Sequence, residues 1–362
     1  MGVSRFRPPR GMRFVFHFHC KFRRRHVRQN SRYVVRQMTR QTSNKQPEAR
    51  CPGARSNSPF SVVVKFTVFT EACYTIDTAP DKTTKRVVIT TFSRSASTTV
   101  AAVSGCVRKI NSSDCIRFQP HVIVHSAAQR FPDKVEKDYD ASYALNVTAS
   151  KNLAALADAV GAAFIFISTD YVFDGRDPPY SESAKPNPLN KYGTTKAEAE
   201  RAVLSAKPDA IVLRVPVLYG GEEYVAESAV SVLCQLLNDR TKHVKVSDYE
   251  IRYPSHTEDI AFIVVQLAER RLKDRSVSGV YQWCGLEPLT KYAMVRAIGQ
   301  AHGLSTDHVS PDAEPSSGAP RPRDCRLEHS RLQQLGIARH TPFAQGVAGF
   351  ARFLQPAAGQ QP

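Results

Sequence analysis

The sequence predicts an α/β fold: a doubly wound parallel sheet, cut short in its N-terminal half, with a small C-terminal lobe. Three observations carry this. Short, wholly apolar runs recur between residues 87 and 215, as in strands buried on both faces. Segments of helical period alternate with them, the order that winds a parallel sheet. And no glycine occurs between Gly53 and Gly105, so the first strand is followed by no glycine turn.

The elements follow in order. Val87-Val88-Ile89-Thr90 reads as a first buried strand and Val122-Ile123-Val124-His125 as another. Asn146, Val147, Asn152, Leu153, Leu156 and Ala157 fall at helical spacing, and Gly161 closes that helix. Phe164–Ser168 is a third strand, Tyr192–Leu204 a helix and Ile211–Arg214 a fourth strand. Further on, Ile260–Arg271 is an apolar-periodic helix, with Thr257 or Ser255 as its N-cap and acids in its first turn. Val280–Cys284 reads as a strand, Thr290–Gly303 as a helix, and the Pro/Ser/Gly-rich stretch 313–323 as a loop. The domain reading is 1–84 a basic extension, 85–220 the sheet domain, 221–343 a C-terminal lobe interleaved with the last sheet elements, and 344–362 a tail.

Composition narrows the function classes. The net charge is +17, yet 14 of the 50 Lys and Arg lie in residues 1–50 beside one acid, Glu48. The remainder carries 36 basic against 32 acidic residues, so the basicity belongs to the extension and argues for no specific nucleic-acid partner. Residues 1–47 also have the Arg-rich, acid-poor composition of a transit peptide, although Pro8, Pro9 and Gly11 interrupt any helix there. No apolar stretch approaches the ~20 residues of a membrane helix. The eight cysteines include no Cys-x-x-Cys pair and no zinc spacing, so no metal is expected, and reduced thiols in the cytoplasm are the simplest reading.

Three motifs fall at the carboxyl ends of the predicted strands, where open α/β sheets place ligands. Small residues in Ser126-Ala127-Ala128-Gln129-Arg130 let a ligand approach the backbone, with Arg130 able to reach a phosphate; an ordinary tight turn explains them equally. Ser168 and Thr169 end a strand and either bond a ligand oxygen or simply cap the strand. Tyr192 and Lys196 lie four apart on one helix face, where a cationic lysine lowers the phenol pKa for acid/base work, or the two form a plain surface pair.

The order of these motifs, with Ser168-Thr-Asp-Tyr-Val-Phe-Asp-Gly175, Pro188-Leu-Asn-Lys-Tyr-Gly193 and Arg214-Val-Pro-Val-Leu-Tyr-Gly220, resembles the extended short-chain dehydrogenase/reductases, in the branch of the dTDP-4-dehydrorhamnose reductases. That resemblance implies a Rossmann-type sheet with a substrate-binding-like lobe. It implies that Thr169 positions a carbonyl, Tyr192 donates the proton, and Lys196 binds the nicotinamide ribose. Phe118–His125, Glu227–Val230, Leu289–Tyr292, Leu335–Ile337 and Thr341–Phe343 are more similar to the regulatory beta subunits of methionine adenosyltransferase. Those imply NADP contacts at Ser126, Arg130, Tyr192, Lys196 and Leu218. They also imply a hetero-oligomer with a catalytic methionine adenosyltransferase subunit, in cytoplasm or nucleus, with the catalytic residues vestigial. An NADPH-dependent sugar-nucleotide reductase is the alternative.

The chain departs from that family in two regions. A Rossmann fold brings a glycine turn and a helix N-terminus to the pyrophosphate. Here Thr90 is followed by Thr91-Phe-Ser-Arg-Ser-Ala-Ser97, and residues 91–117 number only 27, where one βαβ unit takes ~30 or more. NADP affinity is therefore expected to be weak or lost. The C-terminal Pro356-Ala-Ala-Gly-Gln-Gln-Pro362 departs as well.

Overall fold

The computed structural model describes residues 120–355 and, as backbone, four strands before them. The extension expected over 1–84, the transit-like stretch, residues 92–99 after the first strand and the last residues 356–362 lie almost wholly outside the described residues.

The four earlier strands are β1 (Thr75–Ile76), β2 (Val87–Thr91), β3 (Val100–Val103) and β4 (Cys106–Lys109). They are followed by β5 (Val122–His125), β6 (Ala163–Thr169), β7 (Ile211–Val215) and β11 (Gly279–Gln282) in one sheet of order β11-β7-β6-β5-β2-β3-β4. From β2 to β11 every pairing is parallel. Beyond β2 the sheet changes: β3 and β4 are antiparallel, and β1 also pairs antiparallel with β2. The expected parallel sheet thus runs from β2 to β11, and an antiparallel end of β1, β3 and β4 adjoins it. The reason is chain length, because a parallel crossover needs about a dozen or more residues and only Ser104 and Gly105 lie between β3 and β4.

Strands β5, β6 and β7 have no polar face. Val122, Val124, Ile165, Ile167 and Leu213 point to one side, where helix Thr257–Lys273 packs Ile260, Ile263, Val264 and Leu267. Ile123, Phe164, Phe166 and Val212 point to the other, against Ala154 and Ala157 of helix Ala149–Ala159 and Ala199 and Val203 of helix Lys191–Ala206. The two-residue alternation of strands and the period of the helices therefore meet on both faces. Gly161 has φ +68°, and Ala162 N–H bonds back to Ala157 O at 2.8 Å, closing the helix as its glycine implied.

Helix Thr257–Lys273 corrects one expectation. Its N-cap is His256, whose side chain accepts from Glu258 N, while the Thr257 hydroxyl donates to Gly220 O at 2.8 Å. Glu258 and Asp259 in its first turn and Arg270, Arg271 and Lys273 in its last match the helix dipole.

The C-terminal lobe has its own core of Leu233, Leu237, Met294, Val295, Ile298, Val309 and Phe343. It includes β8 (Leu218–Tyr219), β9 (Val244–Ser247), β10 (Ser255–His256) and β12 (Val309–Asp312), plus helix Lys291–Ala301 capped by Thr290. Val347 and Phe350 are buried in that core, so the packed lobe continues beyond residue 343.

Candidate functional site

A cavity of about 390 Å³ opens at the carboxyl ends of β5, β6 and β7 and is walled on its far side by the C-terminal lobe. Ser126, Arg130, Thr169, Tyr192, Lys196 and Leu218, scattered over some ninety positions of sequence, all line it. Asp170, Tyr171, Arg252, Lys291 and Arg321 line it too.

Tyr192 is placed by the start of its helix. Asn190 caps that helix, its Oδ1 accepting from Gly193 N at 2.8 Å, and its Nδ2 donates to Pro320 O at 2.8 Å. Gly193 packs against the turn after β6: a Cβ there would lie 2.1 Å from Tyr171 O and 2.8 Å from Pro188 Cβ. Only glycine allows this approach, and it brings the Tyr192 phenol to the Thr169 hydroxyl. The Tyr171 and Tyr192 rings meet edge-on at 5.9 Å.

The pKa expectation for this pair is overturned. Burial pushes Tyr192 up to about 12, outweighing its hydrogen bond with Thr169 and the nearby Arg130 charge. Lys196 is anchored below. Its Nζ donates to Ile167 O at 2.8 Å and stands 3.9 Å over the Phe166 ring, and burial brings it down to about 7 against the pull of Glu200. Thr169 donates to Asp170 Oδ1 at 3.0 Å and accepts from Tyr171 N at 3.3 Å. Burial lifts Asp170 to about 6, partly offset by Arg252.

Several side chains that the sequence reading did not single out hold this geometry. Asn146, on a π-helical turn (Ala144–Thr148), clamps the loop after β5. Its Oδ1 accepts from Gln129 N at 2.7 Å, and its Nδ2 donates to Gln129 O and to Thr195 Oγ1, both at 3.0 Å. Inserted π turns often mark functional positions, but a lone Asn within an apolar helical period gives no such signal. His125 bonds Ser150 Oγ at 2.9 Å and is driven down to about 3, first by burial and then by Lys196, so it is neutral. Under the floor, Ser168 donates to Glu200, which forms a buried bidentate pair with Arg214 at 2.7 and 3.0 Å. Arg214 Nη1 donates to Gln282 Oε1 at 3.1 Å. Ser168 thus belongs to the floor network, while Thr169 carries the cavity face.

Arg130 donates to Glu227 O at 2.7 Å with its guanidinium 4.4 Å over the Phe131 ring, and burial lowers it to about 10. The residues present suit the nicotinamide-ribose end of a dinucleotide: a buried phenol, a lysine, a threonine hydroxyl and small residues after β5. At the pyrophosphate end, Thr91–Ser97 after β2 carries no glycine, and the next described strand, β3, pairs antiparallel with β2. No group of His, Cys, Asp and Glu among the described residues could hold a metal, and no described helix is long and apolar enough to cross a membrane.

The sheet, the cavity at its strand ends and the Thr169, Tyr192 and Lys196 constellation define a Rossmann-like short-chain dehydrogenase/reductase scaffold. The chain belongs to the family described as the RmlD substrate binding domain, whose model matches residues 92–355. Within that class it is 49% identical over 231 residues to methionine adenosyltransferase 2 subunit beta of Bos taurus, covering 64% of this chain and 69% of that protein. It is 46% identical over 233 residues to the subunit of the same name in Danio rerio, covering 64% and 72%. Similarity to dTDP-4-dehydrorhamnose reductase of Mycolicibacterium smegmatis is lower, 31% over 247 residues, covering 66% and 73%. Among solved structures, the Bacillus anthracis dTDP-4-dehydrorhamnose reductase in complex with NADP superimposes with a TM-score of 0.59 at 26% identity, covering 66% of this chain and 83% of that one.

Proposed function

We propose that this chain is a non-catalytic regulatory subunit that binds a catalytic methionine adenosyltransferase and modulates S-adenosylmethionine synthesis, in the cytoplasm, with the nucleus as the alternative compartment. The observation that carries this is the 49% identity to a protein named as a subunit of that enzyme, against 31% to a reductase. In this reading Thr169, Tyr192 and Lys196 are vestiges of a reductase site. Ser126, Arg130, Tyr192, Lys196 and Leu218 form the remaining nicotinamide side of an NADP cleft whose affinity is weak or lost. Fold alone decides none of this, since one scaffold serves many functions.

One observation favours a second reading, an NADPH-dependent reductase: the three residues do converge on one cavity. Against it stand the missing glycine turn after Thr90 and the Tyr192 pKa, which burial raises. The test adds purified chain to a catalytic methionine adenosyltransferase subunit and follows S-adenosylmethionine formation. A saturable change in rate or KM is expected. Unchanged kinetics, together with NADPH oxidation by this chain in the presence of dTDP-4-dehydrorhamnose, would replace the regulatory reading with the second.

A further inference from the structure

We propose that the lobe side of the cleft binds a small carboxylic acid, its carboxylate held by Lys291 beside Arg252 and Arg321 and its apolar body lying on Val217, Val230 and Met294. The proposal rests on the cleft being a ligand site; it does not rest on the partnership with a catalytic subunit.

Lys291, Arg252 and Arg321 line one wall of the cavity. Arg321 is paired: its Nη2 donates to Asp133 Oδ2 at 2.7 Å and its Nη1 to Ala319 O at 2.8 Å. Arg252 is committed as well. Its Nη1 donates to Ile251 O at 2.8 Å and to Pro322 O at 3.0 Å, and its Nη2 to the Tyr171 hydroxyl at 3.3 Å. Both guanidiniums are thus fixed in place. Lys291 forms no ion pair among the described residues. The nearby Glu250 is spent, accepting from Ser247 Oγ, Ser316 N and Ser316 Oγ. Burial first and then the Arg321 charge lower the Lys291 pKa; Glu250 pulls the other way, and Arg252 adds to the lowering. The position adds a further cost, because Lys291 opens helix Lys291–Ala301, where the dipole disfavours a cation. A carboxylate there meets an unpaired ammonium, two fixed guanidiniums and a helix N-terminus together.

The rest of this wall sets the body of the ligand. Past β7 the described lining is Pro216, Val217, Leu218, Ala229, Val230 and Met294 together with the three cations. A sugar brings several hydroxyls that need acceptors, and the polar side chains here are donors only. A nucleobase binds best on an aromatic ring, and this stretch of the lining offers none. An apolar body needs neither, and its burial adds to binding. One carboxylate matches one unpaired cation, whereas a diphosphate brings more charge than this wall leaves uncompensated.

Naphthoate and naphthylmethanol share an apolar body and differ in charge, and thymidine diphosphate represents the other ligand class. Their affinities for the full chain can be read by ligand-observed NMR near neutral pH. Naphthoate is expected to bind about tenfold tighter than the alcohol, the worth of one hydrogen bond to a charged group, and tighter than thymidine diphosphate. This comparison uses the unaltered protein and needs no variant to fold. Lys291→Gln, with unchanged circular dichroism, should lose the advantage of naphthoate over the alcohol, and Lys291→Arg should keep most of it. Equal affinities for naphthoate and the alcohol, tighter binding of thymidine diphosphate, no binding of any probe, or an advantage that survives Lys291→Gln would overturn the proposal. No catalytic subunit is present in these measurements, so such a result leaves the regulatory reading standing.

Discussion

The two ends of the main sheet are built on different terms. From β5 onward each strand is followed by enough chain to cross back through a helix, every pairing to its successor is parallel, and both faces are buried. Beyond β2 the intervals are short, no described helix intervenes, and the strands turn back antiparallel. Both ends belong to one sheet, so hydrogen bonding does not distinguish them. Chain length between strands does, and it also decides which end can carry a phosphate-binding helix N-terminus.

If the covered end is the stable and functional one, disruption there should cost most. Arg214→Ala strands a buried Glu200 and should lower unfolding free energy by about 3–5 kcal/mol in urea denaturation; a loss below about 1 kcal/mol would show that the floor network does not hold the strands. Phe164→Ala opens the second core and should cost a similar ~3–5 kcal/mol, with a smaller value meaning that the helices collapse into the gap.

Lys196 tests the comparison through pH. Its pKa of about 7 lies below the ordinary 10.5, so folding is penalised while it is charged. That penalty is full below about pH 7 and is relieved as pH rises toward the unfolded value, so this group makes stability rise over that window. Lys196→Met should remove that contribution, and the difference between the two stability profiles isolates it from the cysteines and tyrosines. Parallel profiles for the two proteins would show that the lysine is not desolvated.

Thr290→Ala removes the cap bond to Ala293 N at 3.1 Å and should cost about 1 kcal/mol. The smallest effect is expected from the stretch that precedes β1 in sequence. Deleting residues 1–74, which carry no readable periodicity, should move the unfolding free energy by less than about 0.5 kcal/mol, the usual bound for changes away from a core. A larger loss would mean that the extension supports the sheet.

The difference between the two ends also explains what was legible in the sequence. Runs such as Val122–His125 and Phe164–Ser168 announce themselves because burial on both faces leaves a polar residue only at the last position, His125 and Ser168. Tyr192 and Lys196 could be paired because one helix sets their spacing. The absence of glycine after Thr90 was legible too, but not the hairpin-like pairing that replaces the crossover. The missed residues share a cause. Arg252 approaches Tyr171 across 81 positions, and Asn146 reaches Thr195 across 49, with no local period to link them. The direction of the Tyr192 shift failed for a related reason. Spacing gives the distance between Cβ atoms but not where Lys196 Nζ points, and it finds Ile167 O.

The central claim is that residues 118–355 keep the surface by which a subunit of this family engages its enzyme. Its most direct test is co-elution, in size-exclusion chromatography, of the folded chain with a catalytic methionine adenosyltransferase subunit, using the full chain and a form ending at residue 355. The account predicts a complex with the full chain, and one with the shortened form if the packed lobe suffices for contact. Two folded proteins that elute separately in both cases would contradict it.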